Sequence, residues 1–479
     1  MAAHSHDEIG GIGHRSLTNQ GIVDRTRKCP SVVFINPAFA YPIIRHKGAF
    51  YTKKWPPLSL AYDAAIMEAK GWRVKIIDAH VERLGPEAVA DRVGESDRIF
   101  ISTSPLDRWQ CPVNDISNVY DVILAVRARR PEARIYLIGP HGTTLPEKIL
   151  AETEADAVIL GEPEITVLEI AEGRPDSEIE GLACRHDGRV VIKPKRKVMN
   201  PNDLPLPAFH LLPMDKYEFD FLGKRFAVLE GSRGCPYGCS FCYKDMYGAY
   251  RAKTIRKMAE ELRHAVERFG VRNIYFADLT FTLNKKLVND LCDFIIDSGY
   301  RIRWACQTRL DLIDEEILKK MSRAGCRLIE FGVESGTETI VRGTNKYIPP
   351  KTITEGLRLV HKLGMESVAF MMFGLPNETA EDMKRSIAFV KKINPTYAAF
   401  NITIPYTETD NPALFDPAGE NAVFFPVTWG TYSLEFMNKM LTKGFLSFYL
   451  RPRAWLNVLR NPRAIFRKFK IFLAAINLT

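Results

Sequence analysis

Two series of apolar runs occupy most of the chain. In the first, short runs rich in β-branched residues alternate with stretches of helical period. The runs are SVVFIN (31–36), WRVKIID (72–78), RIFIST (98–103), RIYLIG (134–139) and AVILG (157–161). Runs without regular polar alternation are typical of strands that are buried on both faces of a parallel sheet. Helical patterns such as SLAYDAAIMEAKG (59–71), ended by Gly71, lie between them, so the pattern predicts a doubly wound α/β domain.

The second series begins near Arg225 and contains six apolar runs separated by amphipathic helices. The runs are RFAVLEG (225–231), NIYFAD (273–278), IRWACQT (302–308), RLIEFGVE (327–334), SVAFMMFG (367–374) and AAFNITIP (398–405). Two of the helical patterns are residues 251–270 and 349–364. Six β/α units are too few for a closed eight-stranded barrel, so we expect a partial, open barrel with its chemistry at the carboxyl ends of the strands.

These patterns divide the chain into five predicted segments. They are a mobile polar tail (1–28), the first α/β domain (29–175), a connector (176–222), the partial barrel (223–415) and a C-terminal basic helical segment (416–479). Within the connector, GLACRHDGRVV (181–191) predicts a small hairpin with its turn at Asp187 and Gly188.

Composition narrows the class of protein. Of the 479 residues, 46% are hydrophobic and 26% are charged, as is typical of a globular protein. The N-terminus has no apolar segment of a signal peptide, and no run approaches the length of a membrane-spanning helix. Nine cysteines, mostly scattered in apolar runs, do not resemble a disulfide scaffold. We therefore expect a cytoplasmic protein.

The net charge of +9 belongs to one end of the chain. No acidic residue follows Glu435, whereas nine lysines and arginines do, so the rest of the chain is balanced. This distribution argues against a general nucleic-acid-binding surface. Residues 444–479 mix basic residues with Phe, Leu and Trp. Two interpretations stay open for this tail: peripheral contact with an anionic membrane, or packing of its apolar face on the barrel.

Three of the nine cysteines lie close together in GSRGCPYGCSFCYKD (231–245), namely Cys235, Cys239 and Cys242. A disulfide would leave one of the three over, and a zinc site usually needs a fourth ligand from a second pair. The spacing CxxxCxxC suits an iron–sulfur cluster with one iron left open. The loop follows the first barrel strand, where a β/α barrel places its chemistry.

On this loop the sequence resembles the radical S-adenosylmethionine (SAM) superfamily, over about residues 222–410. The resemblance implies that Cys235, Cys239 and Cys242 hold a 4Fe–4S cluster and that SAM occupies the open iron. It also implies SAM-binding residues at the strand ends and in the loop: Phe241, Tyr243, Asp278, Gln307, Arg309, Glu334 and Gly374. Glu334 is expected to accept hydrogen bonds from the ribose, and Arg309 to hold the SAM carboxylate. Any of the charged strand-end residues could instead be a helix cap or a surface ion pair.

The first domain resembles the Rossmann-like cobalamin-binding domain that precedes the barrel in one subgroup of that superfamily. PPLSLAYDAAIMEAKG (56–71), GPHGTTLPE (139–147) and GEPEITVLEI (161–170) carry the resemblance. The implied cobalamin-binding residues are Ser102, Thr103, Ser104, Arg108, Trp109, Gly139, His141, Gly142, Thr143, Gly161 and Glu162. His80 does not fit the spacing of a cobalt-ligand motif, so we expect a loop histidine. The alternative is a sheet that binds no cofactor.

The resemblance implies a cobalamin-dependent radical SAM enzyme, most simply a methyltransferase. A methyl group carried by methylcobalamin would join an unactivated carbon after a 5′-deoxyadenosyl radical has removed its hydrogen. A radical cyclase or oxidative rearrangement enzyme of the tetrapyrrole-cyclase type is the alternative, and a non-catalytic cobalamin or iron–sulfur sensor is an alternative of another class. The expected partners are a small-molecule substrate, which the apolar tail suggests is hydrophobic, and an electron donor of the flavodoxin or ferredoxin type.

Overall fold

The computed structural model describes residues 30–39, 54–104, 116–186, 188–194, 196–243, 246–404 and 432–452. These residues form two large sheets, each covered by helices. The predicted N-terminal tail, residues 105–115 and the chain beyond Pro452 lie outside the described residues. The five predicted segment boundaries therefore stay a prediction.

The N-terminal sheet has seven strands in the order β2-β1-β3-β4-β5-β6-β7. Its strands are β1 (Ser31–Asn36), β2 (Arg73–Asp78), β3 (Arg98–Ser102), β4 (Arg134–Ile138), β5 (Ala157–Ile159), β6 (Leu182–His186) and β7 (Arg189–Ile192). The first five strands are parallel. The order reverses direction at β1 and confirms the predicted doubly wound fold.

The C-terminal sheet has six parallel strands in sequence order. Four two-residue strands precede or flank its first strand: β8 (Glu218–Phe219), β9 (Gly223–Lys224), β11 (Ser232–Arg233) and β12 (Arg251–Ala252). The sheet itself comprises β10 (Phe226–Leu229), β13 (Asn273–Phe276), β14 (Arg303–Thr308), β15 (Cys326–Glu334), β16 (Glu366–Phe373) and β17 (Tyr397–Ile402). Because β10 and β17 do not pair, the barrel is partial and open, as predicted.

Helices connect successive strands and cover the outer faces of both sheets. They are α1 (Leu58–Ala69), α2 (Ala79–Glu82), α3 (Pro86–Val93), α4 (Ser117–Arg129), α5 (Pro140–Thr144), α6 (Pro146–Glu152), α7 (Glu164–Ala171), α8 (Ile255–Arg263), α9 (Lys285–Asp297), α10 (Glu315–Arg323), α11 (Glu338–Gly343), α12 (Pro350–Lys362), α13 (Ala380–Ile393) and α14 (Leu434–Tyr449). None of the helices in the described part of the chain is long and apolar enough to cross a membrane.

Two elements differ from the sequence prediction. The hairpin of β6 and β7 extends the N-terminal sheet past residue 175, because β6 pairs antiparallel with β5. The helix predicted from residue 251 begins only at Ile255, since Thr254 caps it by accepting a hydrogen bond from the backbone N–H of Lys257 at 3.3 Å. The two residues before Lys253 instead pair as β12 with β11.

The bottom of the barrel is closed by aromatic side chains. Trp55 lies 4.7 Å from the Tyr275 ring of β13 and 5.1 Å from that of Phe219, measured between ring centroids. Tyr275 donates a hydrogen bond to Glu330 of β15 at 2.8 Å. With this end filled, the open end at the carboxyl termini of the strands is left for ligands.

Helix α14 covers the outer face of the edge strand β17. The Phe445 ring lies 5.3 Å from that of Phe400, and the Tyr449 hydroxyl donates to the carbonyl of Ala398 at 3.0 Å. This part of the predicted basic tail therefore packs on the barrel, as one of the two interpretations expects.

Candidate functional site

The cysteine loop leaves the carboxyl end of β10 and passes over the open end of the barrel. Gly234 has a φ of 74°, and a Cβ atom there would lie 2.6 Å from the carbonyl oxygen of Gly248. Only glycine fits this close approach of two backbone segments. The position of Cys235 thus depends on the residue immediately before it.

The three cysteines of the loop are half-buried thiols that form no disulfide with another described residue. Cys235 lies 3.6 Å from the hydroxyl of Thr280, measured from Sγ to Oγ1. Burial raises the pKa of Cys239, and the positive charges of Lys346 and Arg309 oppose that rise. Within the described residues, no three His, Cys, Asp or Glu side chains surround a point where a single metal ion would sit. Three thiols on one loop match the donor set of a cluster in which each cysteine binds a different iron.

Glu334 ends β15 in a strained conformation. It has a φ of 68°, which is rare for a residue with a side chain, and the register with β16 shifts between Gly332 and Glu334. Strain of this kind costs about 1–3 kcal/mol and clusters at functional sites. Lys346 donates to the Glu334 carboxylate at 2.5 Å. A Cβ atom at Gly332 would collide with both side chains, so the glycine makes room for this ion pair.

Lys346 is a site residue that the sequence prediction missed. Its Nζ lies 5.8 Å from the centroid of the Phe241 ring, which follows Cys239 by two positions. Its side chain is 12% exposed, so the charge is largely removed from water. No motif marks this lysine, because it reaches Glu334 from a loop beyond α11.

The other predicted SAM residues of the barrel lie around the same opening. Gln307 lies on β14, opposite Glu330 of β15. Arg309 is 4.0 Å above the Tyr237 ring, and one edge of its guanidinium pairs with Asp311 at 2.7 and 2.9 Å. The other edge of the guanidinium is the one that a carboxylate could use. The assignments of Gln307, Arg309 and Phe241 to SAM stay predictions.

Asp278 supports the cysteine loop from below. Its carboxylate accepts hydrogen bonds from the Gly231 N–H at 2.9 Å and from the Ser232 hydroxyl at 2.5 Å. Burial raises the pKa of Asp278 to about 6. These contacts hold the start of the loop, and the predicted contact of Asp278 with SAM stays a prediction.

Gly374 begins a tight turn after β16. Its N–H donates to Glu378 Oε2 at 2.7 Å, and the N–H of Leu375 donates to the same oxygen at 3.2 Å. Glu378 is 3% exposed. Burial raises the pKa of its carboxyl from 4.5 to about 7, against the effect of the two backbone hydrogen bonds.

We expect Glu378→Gln to stabilise the protein at high pH and not at low pH. Because its pKa is raised in the folded protein, Glu378 loses its proton at a lower pH in the unfolded chain than in the folded one. The free energy of unfolding therefore falls as pH rises from 4.5 to about 7. At about 1.4 kcal/mol per pKa unit, glutamine should raise the free energy of unfolding by about 3 kcal/mol at pH 8 and by much less near pH 4.5. Thermal unfolding at several pH values measures this difference.

The exposed neighbour Glu381 supplies the control for that experiment. It pairs with Lys384 at 3.2 Å on the surface of α13, so Glu381→Gln should change stability little at any pH. An equal gain from Glu378→Gln at both ends of the pH range would contradict the prediction.

The carboxyl ends of β3 and β4 form the predicted cobalamin rim. Ser102 donates to the Ser104 carbonyl at 2.8 Å and closes a turn. The Thr103 hydroxyl is fully buried and has no hydrogen-bond partner among the described residues. Gly139, with a φ of 126°, lies directly beside it. An unsatisfied buried hydroxyl at the rim fits a ligand with amide groups, such as cobalamin.

The remaining rim residues have structural contacts. His141 is buried in α5, and the missing Cβ of Gly142 faces Val158 of β5. The Thr143 hydroxyl donates to the Gly139 carbonyl at 2.9 Å and accepts from the Gly161 N–H at 3.0 Å. It therefore joins the two rim segments. Their assignment to cobalamin stays a prediction, and Arg108 and Trp109 lie outside the described residues.

Glu162, whose predicted contact with cobalamin stays a prediction, takes part in a buried interdomain charge cluster. Within the described residues this cluster comprises Arg233, Arg251, Lys253, Glu162, Glu164, Glu230 and Glu261. Arg233 Nη1 lies 3.0 Å from Glu162 and 2.9 Å from Glu164, and its Nε donates to Glu230 at 2.7 Å. The GEPE segment thus turns its carboxylates toward the barrel.

Tyr243, predicted with the SAM residues, also contacts the N-terminal domain. Its hydroxyl donates to the Pro140 carbonyl at 3.0 Å and lies 2.8 Å from the Thr144 hydroxyl. The side chain is 1% exposed and belongs to the core of the N-terminal domain. The residue after Cys242 is therefore anchored on α5 and not turned into the barrel.

The cobalamin rim of the N-terminal sheet and the rim at the opening of the barrel thus meet at the cysteine loop.

The sequence profile of the radical SAM superfamily matches residues 229–390, and that of the B12 binding domain matches residues 48–171. An uncharacterized methyltransferase of Pyrococcus horikoshii is 32% identical over 421 residues, covering 83% of this chain and 88% of the relative. This chain belongs to the B12-binding branch of the radical SAM superfamily. The family predicted from the cysteine loop is confirmed.

Two further comparisons bear on this radical SAM protein. The anaerobic magnesium-protoporphyrin IX monomethyl ester cyclase of Rubrivivax gelatinosus is 25% identical over 400 residues, covering 81% of this chain and 70% of the cyclase. A radical SAM methyltransferase structure from Kitasatospora setae, TsrM with cobalamin and a [4Fe-4S] cluster bound, superimposes with a TM-score of 0.62 at 17% identity. It covers 78% of this chain and 72% of that chain, and shows the same fold.

Within this radical SAM site, Lys346→Met is expected to raise the KM for SAM about tenfold or more. We expect the partly buried ammonium, whose positive charge acts on Cys239, to attract the SAM carboxylate, and a hydrogen bond between charged groups contributes about 1.5–3 kcal/mol. The exposed Lys362, paired with Glu315 at 3.1 Å, provides the control Lys362→Met. SAM-cleavage kinetics measure both variants, and an unchanged KM in Lys346→Met would contradict the assignment.

Proposed function

We propose that this protein is a cobalamin-dependent radical SAM methyltransferase that acts at an unactivated carbon of a small molecule. The observation that carries the proposal is the contact between the two rims. Arg233, two residues before Cys235, binds the GEPE segment, and Tyr243, directly after Cys242, binds α5. A cluster on the loop and a corrinoid on the N-terminal rim would therefore face one shared space.

The residues have separate tasks in this proposal. When bound, the cluster with SAM supplies a hydrogen-abstracting radical and the corrinoid supplies a methyl group. Cys235, Cys239 and Cys242 hold the cluster, Lys346 and the free edge of Arg309 orient SAM by its carboxylate, and Glu334 receives its ribose hydroxyls. The Thr103 hydroxyl and the rim glycines receive the corrinoid. The half-buried thiols leave the loop within reach of a flavodoxin- or ferredoxin-type electron donor.

The inner face of β16 and β17 supports the proposal of a hydrophobic substrate. Phe373 of β16 and Phe400 of β17 contact each other on the outer face, where Phe400 also meets Phe445 of α14. Side chains alternate between the two faces of a strand, so the residues of β16 and β17 at the alternate positions face inward. These half-buried or exposed inner residues are Phe370, Met372, Ala399 and Asn401. This wall is apolar apart from one amide, which suits a hydrophobic molecule with one hydrogen-bonding group.

The test begins with anaerobic purification in the presence of cobalamin, followed by iron, sulfide and corrinoid analysis and a SAM-cleavage assay. We expect about four irons and one corrinoid per chain, and formation of 5′-deoxyadenosine. A methyltransferase should also release S-adenosylhomocysteine, because one SAM supplies the methyl group. Iron without corrinoid would overturn the methyltransferase assignment and leave radical SAM chemistry in place.

A cyclase is the second candidate, because the Rubrivivax cyclase matches along 81% of this chain. It should form 5′-deoxyadenosine without S-adenosylhomocysteine, since no methyl group moves. If SAM remains uncleaved under reducing conditions, a cofactor-binding sensor becomes the better hypothesis.

Contact of the C-terminal tail with an anionic membrane is a further part of the proposal. The basic residues beyond Pro452 carry it, since α14 before them packs on the barrel. A truncation that removes residues 453–479 therefore tests the tail without uncovering β17. Loss of binding to vesicles that contain anionic lipid supports the contact, and unchanged binding excludes it.

A further inference from the structure

The cysteine loop is attached to the N-terminal domain at both ends. At its start, Arg233 makes two ion pairs with carboxylates of the GEPE segment, at 3.0 and 2.9 Å. At its end, the Tyr243 hydroxyl bonds the backbone of Pro140 and contacts Thr144. The three cysteines lie between these two attachments. The shape of the loop therefore depends on two segments of another domain.

The same two segments form the predicted cobalamin rim. GPHGTT (139–144) contains α5, and GEPE (161–164) leads into α7. They are joined to each other by Thr143, which hydrogen-bonds Gly139 and Gly161. Thr143 also lies 3.2 Å from the sulfur of Met246, on the far side of the cysteine loop. The rim and both ends of the loop thus form one connected set of contacts.

These contacts are buried, so they do not exchange readily with water. Arg233 is 1% exposed, Glu164 0% and Tyr243 1%. An unpaired charge or hydroxyl in such a place costs about 1–3 kcal/mol or more. A movement of the rim relative to the loop would therefore break these contacts at that cost.

We propose that cobalamin binding and cluster assembly are coupled through Arg233 and Tyr243, so that each cofactor increases the affinity of the chain for the other. The inference rests on the cofactors of the proposed function. The reason is that ordering one side of a connected set of contacts reduces the entropy lost when the other side binds its ligand. The coupling must be equal in both directions, because it is a property of the binding equilibria. Arg233 and Tyr243 are then positioning residues.

The test measures the affinity of the full chain for hydroxocobalamin in two states, with the cluster reconstituted and after its removal with a chelator. We expect about tenfold tighter binding when the cluster is present, within the usual range of coupling between two sites. Tyr243→Phe removes only the hydroxyl. In this variant the ratio of the affinity with the cluster to the affinity without it should fall toward one, while cobalamin still binds. If the Tyr243 hydroxyl only stabilised the fold, its loss would weaken cobalamin binding equally in both states and leave the ratio unchanged.

Tyr449→Phe is the matched control. Tyr449 is also a buried tyrosine whose hydroxyl bonds backbone groups, those of Ala398, but it lies on the outer side of β17. This variant should keep the wild-type ratio. Thr144→Val removes the hydroxyl that contacts Tyr243 and should lower the ratio in the same way. It keeps the test open if Tyr243→Phe does not fold.

The outcomes separate this inference from the proposed function. Equal affinity in the two states of the wild type overturns the coupling and leaves the cofactors in place. A wild-type ratio that persists in both Tyr243→Phe and Thr144→Val overturns the path through Tyr243. No binding of hydroxocobalamin in either state overturns the coupling together with the cobalamin part of the proposed function.

Discussion

The triple variant Cys235→Ala, Cys239→Ala, Cys242→Ala is expected to purify without an iron–sulfur cluster and to leave SAM intact. The three thiols lie on the loop at the barrel opening and are not in disulfides with other described residues, and alanine has no atom that can bind iron. The iron content should fall from about four per chain to none. Iron analysis, the visible absorption of the cluster and 5′-deoxyadenosine formation measure the loss.

The fold should survive this change, because the three side chains are only half buried. Cys184→Ala is the control. Cys184 is a buried cysteine of β6, far from the loop in the sequence, and its replacement should not change the iron content. A triple variant that still cleaves SAM would remove the basis for placing the cluster on this loop.

Replacing Arg233 with methionine is expected to give the largest loss of stability. Three carboxylates, Glu162, Glu164 and Glu230, face this single guanidinium inside the protein. Burial opposes its charge, but the three carboxylates raise the pKa of Arg233 well above its usual value, so it stays charged. Removing one partner of a buried ion pair typically costs about 3–5 kcal/mol. The midpoint of denaturant unfolding of the cofactor-free protein measures the effect.

Two further variants test the cause of that loss. Arg256→Met removes an arginine that is paired with Glu260 on the surface at 3.1 Å, and should change stability by less than about 0.5 kcal/mol. Adding Glu164→Gln to Arg233→Met removes one of the stranded charges and should restore part of the stability. If Arg233→Met and Arg256→Met unfold at the same midpoint, the buried charge cluster does not stabilise the fold.

The sequence predicted the ends of strands more accurately than the ends of helices. The first predicted strand agrees with β1 at both ends, because a strand buried on both faces leaves a continuous apolar run. The helix predicted from Arg251 begins four residues later, because the local pattern could not show that β12 pairs with β11, nineteen positions earlier. The hairpin of β6 and β7 was recognised, but its attachment to β5 was not.

The candidate site was predicted in part for a similar reason. The three cysteines lie within eight positions, and their spacing can be read directly. Lys346 approaches Glu334 from twelve positions away, and Arg233 meets Glu162 from seventy-one positions away. The sequence marked Glu334 and Glu162 as candidate ligand-binding residues, but nothing in it marked Lys346 or Arg233 as their partners.

By itself, the sequence determined the two series of strands, the partial barrel and the cysteine loop, and its resemblance to known proteins predicted the family. The strands and the loop follow from local periodicity and spacing, which do not depend on distant contacts. Only the tertiary structure decided that Tyr243 and Glu162 serve the contact between the domains, that Lys346 joins the site, and that α14 covers β17. The physical reason is that a buried charge or hydroxyl must find a partner, and packing between distant segments determines which partner is within reach.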